Sequence, residues 1–201
     1  MAQPLIVDLE VELIEKARQG DSNAFGELVR CHYPDIVTIL YRMCGDEQLA
    51  EDAAQEAFIK AWVKLPSYHP QAPLRHWLYR IAINAAHDLL RQRSDLPVED
   101  EELVAIAGQS SFPIAAMQPG DPEDAVIEKE QVALLQRALF SLPESSRIVL
   151  VLREYGSLSY HEIAHVLDIP IGTVMSRLNY ARNRLQVILQ EQTMKLENAY
   201  V

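Results

Sequence analysis

The sequence predicts an all-α chain: two small helical domains joined by an acidic flexible linker. Three observations support this. Apolar residues recur at three- and four-residue spacing along most of the chain. No run alternates apolar and polar in the manner of a half-buried strand. The charge is unevenly spread: of 201 residues, 29 are acidic and 18 basic, a formal net charge of −11. Residues 1–93 hold 10 Lys/Arg against 13 Asp/Glu, residues 94–130 hold 1 against 10, and residues 131–201 hold 7 against 6. The acidity therefore sits in the middle, as expected of a linker.

The elements follow in order. Leu9, Leu13 and Ala17 mark a first helix, with Gly20 as its stop. Asp21 or Ser22 suits the cap of a second. Its apolar stripe is Phe25, Leu28, Val29, Ile36, Leu40 and Cys44, Pro34 should kink or divide it, and Gly45 ends it. A third runs from about Asp46 to Leu65 on Leu49, Ala53, Ala57, Ala61 and Trp62, stopped by Pro66. A fourth runs from about Leu74 to Gln92, with Leu78, Ile81, Ala82, Ala85 and Leu89 inward.

Residues 94–122 break the pattern with an acidic run at 99–102 and then Gly108, Ser110, Ser111, Pro113, Pro119, Gly120 and Pro122. This is linker composition. Leu103, Val104, Ile106 and Ala107 suit a short helical turn within it. Helices resume near Asp124. Val132, Leu135 and Leu139 give one, closed by Pro143, and Ile148, Val149 and Leu152 the next, closed by Gly156. Ser159 and Glu162 form a capping-box pattern ahead of Ile163, Ala164, Val166 and Leu167. A last long helix starts near Pro170 and reaches about Gln190. The domains expected are 1–93, a linker over 94–123, and 124–201.

The N-terminus has neither a basic region nor an apolar stretch long enough for a signal peptide. No charge-free apolar run approaches about 18 residues, so no membrane insertion is expected and a cytoplasmic location follows. Cys31 and Cys44 lie 13 residues apart. On one helix that is about 20 Å, too far for a disulfide, so both are expected as buried thiols.

Residues 159–186 have the length and punctuation of a helix-turn-helix. Ile163, Leu167, Val174 and Leu178 supply its shared core, and small Ala164 sits where the two helices cross. At 100° per residue Val174, Leu178, Ala181 and Leu185 cluster within about 60° and point inward. Ser176, Asn179, Tyr180 and Asn183 lie opposite, all hydrogen-bonding types suited to base edges or phosphates. Thr173, Arg177, Arg182 and Arg184 flank them, and no acid follows before Glu191. A major-groove helix and an ordinary solvated surface helix both accommodate this pattern.

The same segment contains His161-Glu162-Ile163-Ala164-His165, the H-E-x-x-H pattern of zinc proteases. A metzincin continuation would need a glycine at 168 and a histidine at 171, where the chain has Asp168 and Ile171. The capping box also uses Glu162. Two solvent-facing or cap-side histidines are the expectation, with no catalytic residue, metal or cofactor.

In the first domain, Arg80, Asn84, His87 and Arg91 form a polar stripe opposite the inward face of the fourth helix. Trp77 and Tyr79 offer rings for stacking on exposed bases, and Arg75, Arg91 and Arg93 suit phosphates. A core tryptophan beside a solvated basic face has the same pattern.

Residues 49–65 (LAEDAAQEAFIKAWVKL) and 77–93 (WLYRIAINAAHDLLRQR) resemble region 2 of the extracytoplasmic-function (ECF) sigma factors, group 4 of the sigma-70 family. Residues 142–185 resemble their region 4. The order, the acidic linker and the lack of a middle domain match too, so the resemblance covers nearly the whole chain. It implies a non-catalytic subunit that binds core RNA polymerase, through its β′ and β subunits, and directs promoter-specific initiation. It implies docking on the β′ coiled coil through Asp52, Gln55, Glu56, Phe58, Ile59 and Trp62, with exposed aromatics as anchors. It implies capture of unstacked −10 bases by Arg75, Trp77, Arg80, Asn84, His87 and Arg91. It implies reading of the −35 duplex by Tyr160, Thr173, Ser176, Arg177, Asn179, Tyr180, Arg182 and Asn183. The linker would thread the RNA exit path, its acids imitating RNA. An anti-sigma factor is an implied partner.

The chain departs from the family pattern at Met175 and near Asn179, where relatives often carry basic or aromatic residues, so a relative's −35 sequence does not transfer. Few positive charges face phosphates, so promoter binding by the free chain should be weak. A stand-alone helix-turn-helix regulator is the alternative, and a zinc hydrolase a third reading.

Overall fold

A computed structural model describes residues 3–69, 72–94 and 134–199, with side chains over 9–69, 72–93 and 134–191. The expected linker and its short helical turn lie outside the described residues. The described residues are helical throughout, with no strand among them, and fall into two compact units.

The first unit holds α1 (Gln3–Arg18), α2 (Ser22–Cys44), α3 (Glu47–Lys64), a 3₁₀ turn (Leu65–Ser67) and α4 (Leu74–Ser94). Asp21 caps α2, its side chain accepting from the Asn23 and Ala24 amides. Pro34 lies within α2 without dividing it. Gly45 closes α2 at φ 79°, a left-handed position that glycine adopts without a Cβ clash. Asp46 then caps α3 by accepting from the Leu49 amide, while its other oxygen takes Arg93 from the end of α4 at 2.8 Å.

Small side chains set the centre of this unit. Ala50, Ala53, Ala54, Ala57 and Ala61 of α3 are buried, as are Ala82, Ala85 and Ala86 of α4. Alanine seams let the two backbones approach closely, and Leu28, Ile36, Leu40, Met43 and Leu49 fill the remaining volume. Helix α4 packs against both α3 and α2. Burial on two sides explains why Tyr79 and Ile83, outside the expected inward stripe, are buried.

The second unit holds α5 (described over 134–140), α6 (Glu144–Glu154), α7 (Tyr160–Leu167) and α8 (Ile171–Ala199). Arg147 closes α5: its Nη1 donates to the Phe140 and Leu142 carbonyls, with the guanidinium 5.1 Å from the Phe140 ring. Helix α6 is the spine, with Ile148, Val149, Leu150, Val151 and Leu152 all buried. At Gly156 a Cβ would meet the Leu152 carbonyl oxygen at 2.7 Å, so only glycine fits this turn.

Several expectations change. Cys31 is exposed and Cys44 half-buried, because both lie off the inward face of α2, and neither is in a disulfide. Leu135 points outward, while Ala138 and Leu139 are buried. Pro170 stands one residue before α8, its carbonyl accepting from the Thr173 and Val174 amides.

Candidate nucleic-acid interface

Helices α7 and α8 meet across a three-residue turn, Asp168 to Pro170. Both halves of the expected capping box are present: Ser159 Oγ accepts from the Glu162 amide at 3.3 Å, and Glu162 Oε2 accepts from the Ser159 amide at 2.7 Å. Asp168 ends α7 at φ 54°, a left-handed conformation that Asp tolerates better than most residues, and its amide donates to the Ala164 carbonyl. His161 and His165 are exposed on α7, as expected, and Glu162 is committed to the cap. Among the described residues, no three His, Cys, Asp or Glu are grouped to hold a metal ion.

On α8, Val174, Leu178 and Ala181 are fully buried and Leu185 half-buried, anchoring the helix on α6 and α7. Opposite them Ser176, Asn179, Tyr180 and Asn183 are all exposed. The helix thus presents a polar strip along one side, with Asn183 Nδ2 donating to Asn179 Oδ1 at 3.5 Å. Thr173 and Arg177 are half-buried at its edge, and Met175 stands 53 % exposed on the same side.

Tyr160 and Arg182 form a cluster that periodicity could not show. Arg182 Nη2 donates to Glu154 Oε1 at 3.1 Å, and its Nη1 lies 3.5 Å from the Tyr160 hydroxyl. The Arg153 guanidinium lies 5.4 Å from the Tyr160 ring centre, and its Nη1 donates to the Leu158 carbonyl at 2.7 Å. Hydrogen bonding to Glu154, and less to Tyr160, raises the Arg182 pKa further.

On α4, Arg80, Asn84 and Arg91 are exposed and His87 half-buried, so the expected stripe exists. Arg91 pairs with Asp88, which also reaches Lys60 of α3 at 3.4 Å; the Arg91 contact, then Lys60, lowers the Asp88 pKa. Trp77 is half-buried against Tyr68, ring centres 5.0 Å apart, and Tyr68 donates its hydroxyl to the Ala72 carbonyl at 2.7 Å. Tyr79 is buried and cannot offer its ring to a base, and burial raises its pKa. His76, which the sequence reading missed, is also buried and accepts from Arg75 Nε at 3.2 Å.

On α3, Asp52, Gln55, Glu56 and Ile59 share one accessible face. Gln48 Nε2 donates to Asp52 at 3.0 Å, and Glu56 holds Lys60 at 2.7 Å. Phe58 is not the exposed anchor expected of it. It lies about 160° round the helix from Glu56, is 6 % exposed, and packs on Tyr33 and Phe25 with ring centres 6.0 and 6.5 Å apart. Trp62 is half-buried 4.9 Å from Phe25. The exposed apolar groups are Ile59, at 66 %, and Val63, at 72 %. Val63 was missed; its four-residue spacing from Ile59 was the available signal.

Together these features define a class: an all-helical, two-unit DNA-recognition protein whose second unit is a helix-turn-helix. Residues 28–95 match the family model Sigma-70 region 2, and residues 133–185 match Sigma-70, region 4. The chain is 35 % identical to the ECF RNA polymerase sigma factor SigW of Bacillus subtilis (strain 168), over 89 % of this chain and 95 % of that protein. It is 36 % identical to the RNA polymerase sigma-H factor of Pseudomonas aeruginosa, over 92 % of this chain and 96 % of that one. Among solved structures it is similar to the sigma factor RpoE, determined in complex with the anti-sigma factor NepR from Bartonella quintana. That match has a TM-score of 0.65 at 27 % identity and covers 83 % of this chain and 96 % of the other.

The chain belongs to the ECF sigma factors of the sigma-70 family. It functions as an alternative sigma factor, binding core RNA polymerase and promoter DNA to direct transcription initiation. Among the described residues no helix is long and apolar enough to cross a membrane.

Proposed function

We propose that the exposed faces divide the work of initiation. The strip Ser176, Asn179, Tyr180 and Asn183 on α8 reads the −35 duplex from the major groove. Thr173, Arg177 and Tyr160 position its backbone, while Arg182 stands beside them in the grip of Glu154. The single observation behind this reading is the division of α8 into a buried apolar stripe and an exposed hydrogen-bonding one. On α4, Arg80, Asn84, His87 and Arg91 take unstacked −10 bases, with Arg75 and Trp77 at the near end. Unstacking costs a few kcal/mol, which base hydrogen bonds and phosphate contacts offset without ATP. On α3, Asp52, Gln55, Glu56 and Ile59 meet the β′ coiled coil of core polymerase, while Phe58 and Trp62 support that face from within.

Residues 1–93 form the first functional domain and 124–201 the second, with 94–123 a linker that carries no reading of its own. The chain is a non-catalytic cytoplasmic subunit. An anti-sigma factor is the further partner we assign, supported by the likeness to a sigma factor solved with one.

The test is transcription by core polymerase, with and without this chain, on fragmented genomic DNA, followed by mapping of 5′ ends. Discrete starts sharing two upstream elements are expected. Chain-dependent starts that keep the same −35 preference when Asn179 and Tyr180 are replaced by Ala would overturn the assignment of the α8 strip.

A further inference from the structure

The cluster beside α8 is a cationic site occupied by the protein's own acid. Arg182 stands on the flank of the exposed strip, with the Tyr160 hydroxyl 3.5 Å from its Nη1. A guanidinium and a phenol hydroxyl offer several donors to one anion, as in a backbone-phosphate contact. The group that receives Arg182 is instead Glu154, from the end of α6. The pair is open to solvent, with 49 % and 53 % of the two side chains exposed. A phosphate approaching Arg182 must displace Glu154, and the carboxylate left beside it repels the newcomer. Carboxylate and phosphate oxygens present the same acceptor to a guanidinium, so only one can hold it in full.

We propose that Glu154 is a positioning residue that withholds Arg182 from the DNA backbone, so that the recognition helix makes one ionic phosphate contact fewer than its basic residues allow. This rests on the DNA-facing reading of α8. It gives weak binding by the free chain a local cause in addition to the net charge of −11. A phosphate contact carries no sequence information, so its withholding lowers affinity for all duplexes alike and leaves base reading a larger share of the discrimination.

The experiment is the salt dependence of duplex binding by the full chain, using a labelled random-sequence duplex at low ionic strength. Each ionic phosphate contact adds about 0.9 to the slope of log affinity against log salt. Glu154→Gln should steepen that slope by about 0.9, so that a fourfold rise in salt weakens it about 3.5-fold more than wild type. Glu154→Gln with Arg182→Ala should return the slope to wild type. Glu191→Gln, which removes the same charge farther along α8, should leave it unchanged. Far-UV circular dichroism confirms that each variant is folded. Binding with equal slopes in wild type and Glu154→Gln, or a gain that survives loss of Arg182, overturns the role of Glu154 alone. Absence of duplex binding by every folded variant overturns the DNA-facing reading of α8, and this inference with it.

Discussion

Leu178 and Asn179 are neighbours with opposite duties, and replacing each by Ala separates fold from reading. Leu178 is 1 % exposed between α8 and the helices beneath it, while Asn179 is exposed on the opposite strip. Truncating a fully buried Leu costs about 2–5 kcal/mol, from lost transfer energy plus the cavity left behind. Taking about 3 kcal/mol and a urea dependence of about 1.5 kcal/mol per molar, the midpoint of the second unit should fall by about 2 M. The chain provides its own reference. Both tryptophans, Trp62 and Trp77, belong to the first unit. Circular dichroism should show the loss, and tryptophan fluorescence should keep its midpoint. Asn179→Ala should leave both transitions within about 0.5 kcal/mol. It should instead relax −35 discrimination by about 1–3 kcal/mol at one base pair, read by transcription from promoters mutated there. The reasoning fails if Asn179→Ala unfolds the second unit or if Leu178→Ala leaves its midpoint in place.

Other outcomes follow from single contacts. Ser159→Ala removes one half of the capping box and should cost the second unit about 1 kcal/mol in a dichroism-monitored urea titration, with Ser159→Thr restoring most of it. Ile59→Ala should weaken core polymerase binding with little change in stability, whereas Phe58→Ala should cost about 3–5 kcal/mol of first-unit stability. Fluorescence unfolding beside a core pull-down would show the two effects the other way round if α3 had been misread. Asp88 has a folded pKa below its ordinary 3.8, because Arg91 and Lys60 favour the carboxylate. Its contribution is therefore full above that ordinary value and lost as pH falls through the lower folded value. Asp88→Asn should flatten the acid limb of first-unit stability against pH, and an unchanged limb would show the pairs to be inert.

Helical period made much of the fold legible. Ala53, Ala57 and Ala61, and later Val174, Leu178 and Ala181, declared their inward faces by spacing alone, and all are buried. The caps at Asp21, one of two candidates, and Ser159 were readable because capping is a local contest for a few amides. What the spacing could not reveal was a second neighbour. Tyr79 and His76 lie off the expected inward stripe, but α4 is covered on two sides and both are buried. Phe58 was read as an anchor from its position in a motif, although its angle round α3 already placed it toward the aromatic cluster. The pairs Arg182–Glu154 and Arg93–Asp46 span 28 and 47 residues, and no local pattern announces a partner at that distance.

The two stripes of α8 also bear on how such a protein changes over generations. Residues that hold the helix in place and residues that face outward share almost no positions, so mutation can sample one set while the other keeps the unit folded. On the proposed reading of α8, the exposed Met175, Asn179 and Tyr180 can drift toward a new promoter vocabulary at little structural risk. Gly156 and Leu178 cannot. A duplicated copy of this gene could acquire a separate set of target genes through a few substitutions on one side of a single helix.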